Sequence, residues 1–190
     1  MRAVGLSVVL ASAACARSPA EAVCPELSAG ELVVTELRGP QAPEDAAGAW
    51  VELYNASGRR LDLAGLELRF RRVDDSGTIS VLVRRALDVR ADAYTVLGLF
   101  DDADPPVHVD YGFLNDFRTG WLPRAAVEVV SCGATVDQMY YDALPVQGTY
   151  SLGGVPDASN NDVSASWCND GTQSGSAFPG TPRSANIACP

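Results

Sequence analysis

The clearest hydrophobic pattern in the chain is a strict alternation in the stretch LELRFR, residues 66–71. Leucine or phenylalanine occupies every second position, and glutamate or arginine fills the positions between them. An extended chain places alternate side chains on opposite faces, so this pattern predicts a β-strand with one buried and one solvated face. The turn-forming residues Asn55–Gly58 separate it from the preceding apolar run, WVELY.

Short runs of the same kind, bounded by Gly, Pro, Asp or Asn, recur along the chain. They predict ten strands, at Glu31–Leu37, Ala49–Tyr54, Leu66–Arg72, Thr78–Arg84, Tyr94–Phe100, Val107–Tyr111, Ala126–Ser131, Thr135–Tyr140, Thr149–Leu152 and Ser164–Trp167. No long window has a helical period, and the Ala-rich segment Ala42–Ala49 is predicted to be a loop. The predicted fold class is therefore all-β. Strands with one apolar and one polar face bury the apolar face when two sheets stack, which favours a β-sandwich.

The composition fits one globular domain and argues against one class of partner. The 190 residues suffice for a single core, and an apolar fraction of 47% is typical of globular rather than disordered proteins. The formal net charge is −10. Nucleic-acid binders normally present a basic surface, so we do not expect a nucleic-acid partner.

The N-terminus has the pattern of an export signal. A positive start at Met1-Arg2 leads into an apolar run, Val4–Ala14, that is too short to span a membrane. Residues 1–14 are therefore predicted to be a signal peptide. The residues Ser12–Cys15 resemble a bacterial lipobox, although Ser12 stands where leucine is expected. Cleavage there would place a lipid on Cys15 and leave residues 15–30 as a lipidated cysteine and tether.

The cleavage site has a second interpretation. The small residues Ala20 and Ala22 also allow the leader to be cut after Ala22, which would give a soluble periplasmic or secreted protein. We favour a bacterial outer-membrane or cell-surface lipoprotein that contacts the membrane through its lipid anchor only. Both interpretations predict export.

The cysteines agree with an oxidising compartment. Of the five, Cys15 leaves with the leader or carries lipid, so Cys24, Cys132, Cys168 and Cys189 remain for two disulfide bonds. Three pairings are possible. We favour Cys132–Cys168 together with Cys24–Cys189, because the second pair would clasp the two ends of the folded region. A single His and the lack of a CxxC spacing argue against zinc.

Several of these stretches also resemble a known family. The segments that carry the resemblance are Leu32–Gly39, Trp50–Asn55, Leu61–Leu68, Tyr94–Phe100, Ser166-Trp167 and Gly180–Asn186. Their order and spacing are similar to those of a lamin-tail domain, in which a WVELYN-like strand is followed by an LDLxGxxL strand and a closing GTPGxxN motif. The resemblance covers Glu31 to Asn186. Arg183 departs from the pattern, since it stands where the closing motif usually has glycine.

The resemblance implies an immunoglobulin-like β-sandwich that acts as a binding or scaffolding module. We place this domain at residues 31–187, followed by a C-terminal tail at residues 188–190. Bacterial members look like exported, surface-associated proteins and often accompany a separate hydrolase or nuclease domain. Fold alone does not give function, which depends on the chemistry of particular sites.

Candidate catalytic and metal-binding residues are few. His108 could act as a general base with Asp110, but a partly buried strand histidine is the better interpretation, and no GxSxG motif is present. We therefore expect no catalytic residues and no cofactor. Two acidic loops are weak calcium candidates, namely Asp101, Asp102 and Asp104 in one and residues 157–162 in the other, although solvated turn residues explain both.

The remaining candidates form a possible binding surface. Trp50 and Tyr54 share one strand face, and Arg69, Arg71 and Arg84 could form a cationic patch on a hairpin. The predicted function is a non-catalytic, exported binding or scaffolding module of the bacterial cell envelope. Its partner would be an envelope protein or polysaccharide that the sequence does not identify. The alternative is an accessory module or subunit of an exported hydrolase or nuclease.

Overall fold

Short strands make up almost all of the regular structure. The computed structural model describes residues 23–41, 45–117, 120–174 and 178–190. The strands are β1 (Leu32–Arg38), β2 (Trp50–Asn55), β3 (Leu61–Asp62), β4 (Glu67–Arg71), β5 (Thr78–Leu82), β6 (Asp88–Val89), β7 (Tyr94–Gly98), β8 (Tyr111–Gly112), β9 (Ala125–Ser131), β10 (Ala134–Tyr141), β11 (Thr149–Leu152), β12 (Trp167–Asp170), β13 (Gln173–Ser174) and β14 (Phe178–Pro179). A four-residue helix α1 (Ala158–Asn161) and a 3₁₀ turn (Ser164–Ser166) precede β12.

Most of the strands belong to two sheets. The larger sheet has the order β12-β11-β1-β2-β7-β8, and the smaller has the order β10-β9-β4-β5. Neighbouring strands are antiparallel except for β7 and β8, which run parallel. The prediction of a mostly β protein with antiparallel sheets and almost no helix is confirmed.

Apolar side chains from both sheets meet in one core. Val51 and Leu53 of β2 share this core with Leu68 and Phe70 of β4, and all four are fully buried. The alternation predicted at residues 66–71 is confirmed, because the glutamate and arginines of β4 remain partly exposed. Burial of each large apolar side chain stabilises the fold by roughly 1.5–3 kcal/mol.

Two predicted strands are wrong in part. At Val107–Tyr111 only Tyr111 pairs in a sheet, because the N–H of Val109 donates to the carbonyl of Pro106 and closes a turn, with Val107 77% exposed. At Ser164–Trp167 the first three residues form the 3₁₀ turn and β12 begins at Trp167. Local hydrogen bonding wins over strand propensity at both places.

The favoured disulfide pairing is also wrong. The bonds are Cys24–Cys132 and Cys168–Cys189. Cys24 is bonded to the turn between β9 and β10 of the smaller sheet and Cys189 to β12 of the larger sheet, so these two cysteines do not clasp each other. The carbonyl of Pro25 accepts a hydrogen bond from the Ser131 hydroxyl, which holds the N-terminal end against the turn between β9 and β10. Two disulfides indicate an oxidising, extracytoplasmic location.

The predicted signal peptide, the lipobox and Cys15 lie outside the described residues. Within the described ranges, no helix is long and apolar enough to cross a membrane.

Disulfide connectivity gives a first testable prediction. Proteolysis under non-reducing conditions should release linked peptides that join Cys24 to Cys132 and Cys168 to Cys189. Removing the first bond should cost about 5 kcal/mol of unfolding free energy and removing the second about 3, since the first closes a longer loop. Urea unfolding of paired Cys→Ser variants measures both costs. Peptides that join Cys24 to Cys189 would contradict this connectivity.

Candidate functional site: a buried carboxyl pair beside an open groove

A β-bulge in β1 brings two glutamates side by side. Val34 pairs with Leu53 of β2, but the register then shifts and Glu36 pairs with Glu52, so Thr35 is the extra residue. Side chains alternate along a strand, and the bulge restores Glu36 to the face of the sheet that Glu52 occupies. This is the face opposite the main core, to which Val34 and Leu53 contribute.

Glu36 accepts hydrogen bonds from β11 and from the C-terminal segment. Its Oε1 accepts from the Ser151 hydroxyl at 2.7 Å, from the Thr149 hydroxyl, and from the backbone N–H of Thr181 at 3.2 Å. Its Oε2 is buried and has no hydrogen-bond partner among the described residues. Hydroxyl and N–H donors therefore concentrate on one oxygen of this carboxyl.

Glu52 is bound from two other directions. Its Oε1 accepts from the Thr35 hydroxyl at 2.9 Å, and its Oε2 accepts from the backbone N–H of Arg183 at 2.6 Å. Both glutamates are fully buried. Neither carboxyl can contact a substrate in this conformation.

The C-terminal segment Gly180–Cys189, called here the clasp, covers the pair. The Asn186 amide donates to the carbonyls of Thr35 at 2.7 Å and Leu152 at 3.1 Å. The disulfide Cys168–Cys189 fixes the end of the clasp to β12. Gly180 has φ +85°, and a Cβ there would lie 2.5 Å from Oε1 of Glu36, so only glycine allows this close approach.

Burial favours the protonated forms of the two carboxyls. It raises the pKa of Glu36 to about 7, against the opposing effect of the Thr149 and Ser151 hydrogen bonds. Burial and the neighbouring charge of Glu36 raise the pKa of Glu52 well above its ordinary value. The carboxyl of Asp170 on β12 adds to the repulsion at Glu36. Desolvation and the mutual repulsion of the two carboxylates act in the same direction, so both pKa values are raised.

An open groove lies directly beside the clasp. Its volume is about 640 Å³. The polar and aromatic residues that line it include Asp88, Arg90, Asp92, Tyr94, Asp110 and Arg183. Tyr94 on β7 stands next to Tyr54 on β2, with ring centroids 4.9 Å apart, and the Tyr54 hydroxyl donates to Asp92 at 3.2 Å.

Arg183 connects the carboxyl pair to the groove. Its backbone N–H binds Glu52, while its side-chain Nε lies 3.5 Å from Oδ1 of Asp110 at the groove wall. Its φ of +66° is in the left-handed region that favours glycine. The backbone conformation explains why a glycine would suit this position. In this chain the position instead supplies a guanidinium.

Only part of the binding surface expected from the sequence is accessible. Trp50 is 0% exposed and packs against Val96, Val109 and Phe100 on the same face of the sheet as Glu52, so its assignment to a binding surface is wrong. Tyr54 is partly exposed and lies at the tyrosine pair beside the groove.

The three candidate arginines do not form an unpaired cationic patch. Arg69 pairs with Glu67 at 2.7 Å, Arg71 pairs with Glu128 at 2.8 Å, and Arg84 pairs with Asp116. Each guanidinium already has a carboxylate partner, which weakens the case for an anionic ligand on this hairpin.

The acidic loops are used as turns and caps. Both carboxylate oxygens of Asp102 accept from Arg85, and Asp101 accepts from the N–H of Ala103, while Asp104 is exposed. In the second loop, Asp157 caps the N-terminus of α1. No group of three or more His, Cys, Asp or Glu is arranged to hold a metal ion within the ranges that the structure describes.

His108 does not line the groove. It is buried, and its Nε2 lies 3.0 Å from the carbonyl oxygen of Ala47. Burial lowers its pKa. The carboxylate of Asp110 instead accepts from the N–H of Val96 at 2.9 Å and from the Thr95 hydroxyl at 3.3 Å. These contacts suit structural roles for both residues.

Sequence reasoning missed the carboxyl pair and the groove. The available signal was a single acidic residue inside a strand whose other residues are mostly apolar, as in WVELY around Glu52 and LVVTEL around Glu36. A strand with one wet face should show more than one polar position there. A single acid in such a strand indicates a buried carboxyl.

Comparison with known proteins adds no further assignment: no protein-family model matches the chain, and no curated protein is similar enough to match it. The resemblance to lamin-tail domains therefore rests on the strand motifs.

The raised pKa of Glu36 predicts a pH-dependent stability. Between its ordinary value of 4.5 and about 7, the folded state binds more protons than the unfolded state, so the unfolding free energy should fall as pH rises. The contribution from Glu36 is up to about 3 kcal/mol. Glu36→Gln mimics the protonated acid and should flatten this fall, measured by urea unfolding between about pH 4.5 and 7.5.

Two features sharpen this experiment. The exposed Glu26 provides the matched control, because Glu26→Gln should leave the pH dependence unchanged. Some slope should remain in Glu36→Gln, since burial also raises the pKa of Glu52 and raises that of Asp137 to about 6. A slope equal to that of the wild type would show that Glu36 is not the titrating group.

Proposed function

We propose that this chain is a non-catalytic binding module of the bacterial cell envelope, exported and anchored through a lipid on Cys15. The proposed architecture is an immunoglobulin-like β-sandwich of the lamin-tail type. Two mainly antiparallel sheets that share one core support the architecture, as do the strand motifs that resemble that family. The two disulfides support export.

The groove beside the clasp is the observation that carries this proposal. It is open to solvent, and one of its lining residues is Tyr94, a tyrosine held on β7. Sites on strands hold their side chains in fixed geometry, which lowers the entropic cost of binding. The lining is polar and aromatic, so the groove suits an extended polar chain such as an envelope polysaccharide.

The chemistry next to the groove favours binding over catalysis. The carboxyl pair is the obvious acid–base candidate, but the clasp covers it and binds its oxygens. A general acid or base must come within hydrogen-bond reach of the reacting group. In this conformation the pair instead fixes the clasp, which forms one wall of the groove through Arg183.

Co-sedimentation with envelope material tests the proposal. The chain from residue 23 onward should sediment with isolated envelope polysaccharide, and Tyr94→Ala should weaken binding by about tenfold or more, because the ring is a large aromatic surface that lines the groove. Tyr140→Ala is the matched control, since Tyr140 is an exposed tyrosine on β10 in the other sheet. Binding that is unaffected by Tyr94→Ala, or undetectable in the wild type, would contradict the proposal.

A further inference from the structure

Arg90 is unusual among the arginines of the described ranges. Nine of them form ion pairs with carboxylates: Arg38, Arg59, Arg60, Arg69, Arg71, Arg84, Arg85, Arg124 and Arg183. Within those ranges, Arg72 and Arg90 stand outside this set. Arg90 is exposed and lines the groove, whereas Arg72 lies elsewhere, after β4. Acidic residues outnumber basic ones in this protein, yet the guanidinium of Arg90 at the groove has no carboxylate partner among the described residues.

The aspartates of the groove already have partners within the chain. Asp88 lies 3.6 Å from the guanidinium of Arg60, Asp92 accepts from the Tyr54 hydroxyl at 3.2 Å, and Asp110 lies 3.5 Å from Arg183. Their charges are thus partly offset or fixed by local contacts. The guanidinium of Arg90 carries five donors and no acceptor, and it has no carboxylate partner within the described ranges.

Tyr94 provides a second kind of contact beside it. The ring is half-buried, and Tyr54 supports it at 4.9 Å. Aromatic rings combine a large apolar face with a polar edge, which matches a sugar ring with its C–H face and peripheral hydroxyls. Aspartate oxygens along the same groove can accept bonds from such hydroxyls.

We propose that the groove binds a polysaccharide that carries carboxylate groups, with a sugar ring on Tyr94 and a carboxylate on Arg90. This inference rests on the proposed function, because it specifies the ligand class of the same groove. A guanidinium binds a carboxylate through two parallel hydrogen bonds, which a neutral sugar cannot reproduce. One carboxylate on a sugar unit fits one uncommitted guanidinium.

Densely charged polyanions fit the same groove poorly. The chain carries a net charge of −10, and three aspartates line the groove together with Arg90 and Arg183. A polyphosphate or a nucleic acid would bring several charges close to these aspartates and be repelled. A uronic-acid polymer spaces its carboxylates by whole sugar units and meets less repulsion.

Matched oligosaccharides provide the test. Oligogalacturonate and neutral oligogalactose of equal length are titrated into the chain from residue 23 onward by calorimetry. The uronate should bind at least about tenfold tighter, and Arg90→Gln should remove that preference, since it removes the charge-assisted pair. Tyr94→Ala should weaken binding of both sugars. Arg72→Gln, the matched control, should leave the preference unchanged.

Each outcome has a distinct meaning. Equal affinity for the two sugars, or a preference that survives Arg90→Gln, overturns the carboxylate assignment. If the chain still sediments with envelope polysaccharide through Tyr94, only the ligand class fails and the binding module stands. If neither envelope material nor either oligosaccharide binds, the proposed function fails as well. A preference that falls steeply with added salt supports the charge contact at Arg90.

Discussion

The most demanding constraint in this structure is the burial of two carboxyl groups on neighbouring strands. Glu36 and Glu52 are both inaccessible to water, so each must receive hydrogen bonds or remain protonated. The chain does both. Hydroxyls from Thr35 and Ser151 and backbone N–H groups from the clasp bind the oxygens, and desolvation favours the protonated form. The bulge in β1, the glycine at position 180 and the path of the C-terminal segment are all consistent with this one requirement.

The same constraint shapes the exposed surface. The clasp is the only part of the described chain whose backbone binds both glutamates, at Thr181 for Glu36 and Arg183 for Glu52. Arg183 then turns its side chain toward Asp110 at the groove wall. Arg183 therefore binds the buried pair through its backbone N–H and lines the open groove with its side chain.

The sequence predicts features that depend on neighbouring residues better than features that depend on residues far apart along the chain. Alternation at residues 66–71 is local and strong, so β4 was predicted correctly, and the turn residues delimited most strands within a few positions. Disulfide pairing depends on where distant strands lie, and proximity of the chain ends was the wrong criterion. The arginines illustrate the same limit. Arg71 looked like a free cation in the sequence, but its partner Glu128 is 57 residues away.

The bond between Cys24 and Cys132 also has a consequence for a protein anchored at Cys15. It attaches the chain to the β9–β10 turn well before β1 begins, so the leash between the lipid and the folded domain ends at Cys24. At about 3.4 Å per residue, that leash reaches about 30 Å at most, against about 55 Å if it ran to Glu31. For the proposed lipoprotein, this bond would therefore limit how far the folded domain can lie from the bilayer.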